Sequence, residues 1–122
     1  MPKISNHDVR PFIQRRELFN THSGAISARQ YGNLYAVFSY GDHFPMFVYD
    51  NIASQWFGNH DKYSRTTARH QQLARPISDG RDDPDDIRAV SINWCSTDYL
   101  QSLITAGSYV AQCAERIIKE AA

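Results

Sequence analysis

The stretch from Leu34 to Asp50 constrains this chain more than any other. Leu34-Tyr35-Ala36-Val37-Phe38-Ser39-Tyr40 and Phe44-Pro45-Met46-Phe47-Val48-Tyr49-Asp50 are two runs rich in aromatic and β-branched residues, joined by Gly41-Asp42-His43. Such runs suit a pleated surface, and the short joint predicts a β-hairpin. Side chains alternate along a strand, so Leu34, Ala36 and Phe38 share one face while Tyr35 and Val37 share the other. Both sets are apolar. The pair therefore belongs at the centre of a sheet, or shows an aromatic face to a partner. Pro45 has no amide to give to a ladder, which places it at an edge, a bulge or a strand start.

Weaker strand signals flank the hairpin. Ile13 to Phe19 and Ala25 to Gln30 lie on either side of Asn20-Thr21-His22-Ser23-Gly24, a polar turn ending in glycine, and Ser54 to Gly58 follows Asp50-Asn51. The expectation is an antiparallel meander of four or five strands over residues 13–58. Residues 64–75 read as a short helix, capped by Ser64 or Thr66 and stopped by Pro76. Residues 77–88 form a polar, turn-rich acidic loop. Ile87 to Trp94 is ambiguous, because Val90, Ile92 and Trp94 alternate like a strand yet lead directly into helical sequence. Leu100, Leu103, Ile104, Gly107, Ala111, Ala114, Ile117 and Ile118 recur at helical spacing. They predict a long C-terminal helix over 96–120, capped by Ser96 or Thr97 and packed on the sheet. Gly107, Ala111 and Ala114 narrow its stripe for close approach; the same stripe is where a homodimer would form. The expected fold is a single α+β domain.

At 122 residues the chain can bury a core without disulfides or a structural metal. Cys95 and Cys113 fit no metal spacing and read as buried free thiols. The start of the chain lacks an apolar stretch of signal-peptide length, and no apolar run is long enough to span a bilayer, so a soluble, cytoplasmic protein without membrane contact is expected.

Thirteen Lys and Arg balance thirteen Asp and Glu, which argues against a bulk polyanion binder. The balance hides a split. Residues 1–78 carry nine basic and five acidic groups, a net +4, whereas residues 79–122 carry four and eight, a net −4. The acidic side is concentrated in Asp79, Asp82, Asp83, Asp85 and Asp86. These lack the alternating oxygens and closing Glu of a calcium loop and could instead imitate a phosphate backbone toward a basic groove on a partner. The basic side is Lys62-Tyr63-Ser64-Arg65-Thr66-Thr67-Ala68-Arg69-His70-Gln71, followed by Arg75. Lys62, Arg65, Thr66, Thr67, Arg69, His70 and Arg75 would bind an anion or, with Tyr35, Tyr40 and Tyr49 as stacking surfaces, single-stranded nucleic acid. The bland reading makes the hydroxyls helix caps and the tyrosines packing residues.

No local motif of nucleophilic, metal or phosphate-loop catalysis occurs, and the five histidines have no metal-pair spacing. No cofactor and no enzymatic activity are expected; a hydrolase or transferase would need a site assembled from distant residues, such as His70 with Asp61 or His43 with Asp42.

The run Phe38 to Met46, Val48-Tyr49-Asp50, Gln55-Trp56 and Asp61 to Gln71 resembles small uncharacterised proteins of bacteriophages and mobile elements. Their shared stretches are SYGxHFP and KYSxTTxxHQ, here within residues 35–75. The resemblance implies an origin and carries no catalytic residue. Together with the acidic cluster it suggests a phage accessory protein that binds and inhibits a host defence complex, in the manner of an anti-CRISPR. The partner would be a host protein or protein–nucleic acid complex. A nucleic-acid-binding module is the alternative.

Overall fold

The computed structural model describes residues 2–62, 64–76 and 92–107. Its elements run β1 (Lys3–Ile4), a 3-10 turn (Asn6–Asp8), α1 (Val9–Gln14), β2 (Phe19–Thr21), β3 (Ile26–Tyr31), β4 (Leu34–Ser39), β5 (Pro45–Asp50), β6 (Gln55–Asn59), α2 (Arg65–Ala74) and β7 (Ile92–Cys95). A third helix, α3, is described over 97–107. The architecture is α+β. Its sheet is larger than the expected meander: seven strands pair in sequence order, antiparallel from β2 to β6 and parallel at both edges.

Each parallel pair is joined by a connection that carries a helix, α1 for β1–β2 and α2 for β6–β7, as parallel pairing demands. The antiparallel steps between them make β1 and β6 point the same way. Two crossovers that advance in one direction with the same hand put their helices on the same face. Indeed α1 and α2 meet. Val9 and Ile13 of α1 and Ala74 of α2 share a core with Phe19, Ile26, Ala28, Tyr35, Val37, Met46 and Trp56. Leu100 and Ile104 of α3 cover the opposite face, against Leu34, Ala36, Phe38 and Val48. The two faces read from the alternation of β4 are therefore both real, and all six of its residues are buried.

Pro45 opens β5 opposite Phe38, where the register shifts between Val37 and Phe38. The missing amide thus falls at an irregularity, where no ladder bond is lost. Gly107 lets α3 settle closely: a Cβ there would lie 2.8 Å from Leu34 Cδ1 and 3.1 Å from the Tyr31 carbonyl oxygen. The helical stripe over Leu100, Leu103, Ile104 and Gly107 is thus used by the chain's own sheet.

The expected strand from Ile13 to Phe19 is a correction. Phe12, Ile13 and Val9 stand at helical spacing, and Pro11 lies in the first turn of α1, where an amide has no partner to lose. The helix ends in a Schellman motif without glycine: Glu17 N–H donates to the Phe12 carbonyl at 2.8 Å and Arg16 N–H to that of Ile13 at 3.0 Å. Arg16 takes the left-handed conformation, φ +53°, and its guanidinium lies 4.6 Å from the Tyr49 ring centre. The expected helix at 64–75 agrees with α2. Ser64 is its cap, accepting from Thr67 N–H at 3.1 Å. Of the ambiguous segment, the described part is a strand, Ile92–Cys95, and residues 87–91 lie outside the described residues. The acidic loop, Cys113 and the C-terminal helix beyond residue 107 lie outside the described residues. Cys95 is a free, half-buried thiol. Among the described residues no helix is long and apolar enough to cross a membrane.

Candidate functional site

Helix α2 has an unusual buried face. Thr67, His70, Gln71 and Ala74 fall at i, i+3, i+4 and i+7, a proper helical stripe, yet three of the four are polar. A buried polar side chain must be hydrogen-bonded, and each of these is. Gln71 Nε2–H donates to the carbonyls of Asn59 (3.0 Å) and Asp61 (3.2 Å), and its Oε1 accepts from Lys62 Nζ at 3.1 Å. Thr67 Oγ1 is 3.0 Å from Ser64 Oγ. His70 Nδ1 lies 2.8 Å from Ser39 Oγ.

Ser39 is the last residue of β4, on the same side as Tyr35 and Val37, and so faces α2. After it the chain reverses through Tyr40 and Gly41, at φ +53° and +80°. Gly41 accepts this without cost; a tyrosine there is uncommon and strained by about 1 kcal/mol. Tyr40 is pinned by its amide, which donates to the Ala25 carbonyl at 2.9 Å. The outcome is a ring left 57% exposed, its centre 5.3 Å from that of the His70 imidazole.

These residues border a cavity of about 630 Å³ lined by Ser39, Tyr40, His43, Phe44, Asp61, Lys62, Thr67 and Thr97. That volume suits a small molecule or one unit of a polymer. One wall is fixed by Asp61, whose Oδ2 accepts from Thr97 N–H at 2.8 Å and Thr97 Oγ1–H at 2.9 Å. Those two bonds, ahead of the neighbouring His60, hold the carboxyl below its ordinary value. The carboxylate also sits at the N-terminus of α3, where the helix dipole favours it. Asn59, fully buried, donates from Nδ2 to the Pro45 carbonyl and to Thr97 Oγ1, tying β6, β5 and α3 together beneath the cavity. Burial, with a smaller contribution from Arg69, pushes His70 below its ordinary 6.5, so the imidazole is neutral near pH 7.

Of the basic set read from sequence, Lys62 and Thr67 line the cavity and His70 backs it. Arg65, Thr66 and Arg69 are exposed on α2 outside the lining, and Arg75 lies apart, its guanidinium 5.3 Å from the Trp94 ring centre. Among the three proposed stacking tyrosines only Tyr40 is open. Tyr35 is fully buried with its hydroxyl donating to the Glu17 carbonyl at 2.6 Å, and Tyr49 is half-buried and already in contact with Arg16 and Trp56. Of the hydroxyls at the start of α2, that of Ser64 is committed to capping, as the bland reading has it, and that of Thr67 lies against it. Asp61 pairs with His60 (3.3 Å) and Asp42 with His43 (3.5 Å), both at the surface. Asp79, Asp82, Asp83, Asp85 and Asp86 lie outside the described residues. Among the described residues no group of three or more His, Cys, Asp and Glu is gathered to hold a metal.

Ser39 and Thr97 were not singled out by their sequence as site residues. The signal for Ser39 was present in its parity with Tyr35 and Val37, which aims it at whichever helix covers that face. No protein-family model, curated protein or solved structure matches this chain.

Proposed function

We propose that the chain binds single-stranded nucleic acid, with one unstacked base on Tyr40 above the cavity, its phosphate against Lys62, and Arg65 and Arg69 following neighbouring phosphates along α2. The observation that carries this reading is the Tyr40 ring. It is large, exposed and strained in its backbone, and it stands on the rim of a cavity that also holds a lysine. An exposed aromatic face beside cations is what sequence-tolerant single-strand binding requires, since every base has a face to stack. Zero net charge does not oppose it, because the nine cations of residues 1–78 outnumber the acids there.

Fluorescence anisotropy with a labelled oligodeoxythymidine at several salt concentrations tests it. Binding should weaken steeply with salt. Tyr40→Ala should cost about 5- to 150-fold in affinity, the worth of one stacked base. Lys62→Ala should flatten the logarithmic salt slope by about 0.7, the share of one single-strand phosphate. No binding at low salt, or an unaltered affinity for Tyr40→Ala, refutes it.

The anti-defence reading is a separate proposal. It draws on the resemblance over residues 35–75 and on the acidic segment 77–88, and replacing Asp82, Asp83, Asp85 and Asp86 by Asn tests it directly: a retained host partner should be lost.

A further inference from the structure

Ser39 and His70 stand 31 residues apart in the chain, on a strand and a helix, and share one hydrogen bond of 2.8 Å inside the molecule. Ser39 is 2% and His70 5% exposed, so each satisfies the other, and that alone is a packing role. Three further facts go beyond packing. Ser39 is one of the residues that line the 630 Å³ cavity, so the buried pair lies at the edge of a space that a ligand can fill. The residue after it is held at a positive φ, a strain of the kind that accumulates at functional turns. Lys62 lines the same cavity, held by Gln71, and supplies a cation beside it. Packing needs neither the cation nor the opening.

We propose that Ser39 is a nucleophile with His70 as its general base, and that the cavity turns over a small carboxylic ester through an acyl-Ser39 intermediate. Ser39 Oγ adds to the ester carbonyl carbon while its proton passes to His70 Nδ1. The carbonyl π pair moves onto oxygen, whose charge the Lys62 ammonium offsets. As the carbonyl re-forms, the C–O bond to the leaving group breaks and the departing alkoxide takes the proton from His70. Water then adds to the acyl group, giving its proton to His70; the acid leaves, and the proton returns to Ser39 Oγ. The balance is ester plus water to acid plus alcohol. His70 is suited to this because burial keeps it neutral, with a lone pair on the nitrogen that faces Ser39 once the ring proton is on the other.

Treatment of the full chain with a fluorophosphonate, followed by peptide mapping, tests the assignment, since attack by Ser39 expels fluoride and leaves a stable phosphonyl ester. One adduct is expected, on Ser39, absent in Ser39→Ala. Labelling should slow by about 100-fold or more in His70→Gln and should fall as pH drops through the titration of His70. With p-nitrophenyl acetate the wild-type chain should release nitrophenol in a burst of about one equivalent. An adduct elsewhere, no adduct, no burst, or wild-type labelling of His70→Gln overturns the proposal. The mapping is made on the wild-type chain, so its result does not depend on how either variant folds. It is also independent of oligonucleotide binding, so the two proposals can fail separately.

Discussion

His70 concentrates the physical constraints of this molecule at the residue scale. It is a titratable group packed under Tyr40 and against Ser39, where burial favours its neutral form. Its folded pKa is depressed below the unfolded 6.5, so the unfolded chain takes up a proton first as pH falls. Stability is accordingly full above pH 6.5 and declines as pH falls from there through the folded value. Urea denaturation from about pH 8 to about pH 5 should show a falling midpoint, and His70→Gln should flatten that fall. An equally steep fall in the variant assigns it to other groups. Asp61, also depressed, acts in a lower window: the stability it adds is present above its ordinary 3.8 and is lost as pH drops below that. The site was half legible at this scale. Lys62, Thr67 and His70 stand within one sequence stretch that marks them together. Ser39 lacks such a mark, because its partner is 31 residues away.

Among the elements, the misread one is instructive. The segment 13–19 resembles a strand because Ile13 and Phe19 are good strand residues, whereas the true helix begins earlier and stops without glycine. Arg16 fills the left-handed cap position instead and is held by Gln14, Tyr49 and the Ile13 carbonyl. Those partners are tertiary in the case of Tyr49 and invisible to local pattern. Arg10 performs a related service for α2, donating from Nε to the Arg75 carbonyl (2.9 Å) and from Nη2 to that of Gln72 (2.6 Å) at the helix C-terminus. At the other edge, Gly58 of β6 is covered by Trp94 of β7. A Cβ at Gly58 would lie 2.7 Å from Trp94 Cζ3 and 2.8 Å from Ile92 Cγ2. Gly58→Ala should therefore loosen the parallel β6–β7 pair at a cost of about 1–3 kcal/mol, measured by denaturation. A wild-type midpoint would mean that the indole swings aside without loss.

At the scale of the whole molecule the sheet is the middle of three layers. Six spacings of about 4.8 Å make it about 29 Å across, whereas two helices side by side cover about 20 Å of one face. The central strands are sealed and the edges are not, as the 47% exposure of Trp94 on β7 and the two-residue length of β1 indicate. Amide hydrogen exchange should be slowest in β4 and β5, which are paired on both sides and packed on both faces, and fastest in β1. Equal protection across the sheet would contradict this layering.

Local sequence specifies the β4–β5 hairpin, the apolar character of both faces of β4, the exclusion of Pro45 from a regular central ladder and the span of α2. Each follows from periodicity, turn residues and caps that act within a few positions. The parallel edges, the face on which each helix lies, and the meeting of Ser39 with His70, Asp61 with Thr97 and Lys62 with Gln71 arise only in the closed fold. Parallel pairing and polar contacts of this kind join residues that no local period relates, and their stability comes from burial that exists only once the layers close.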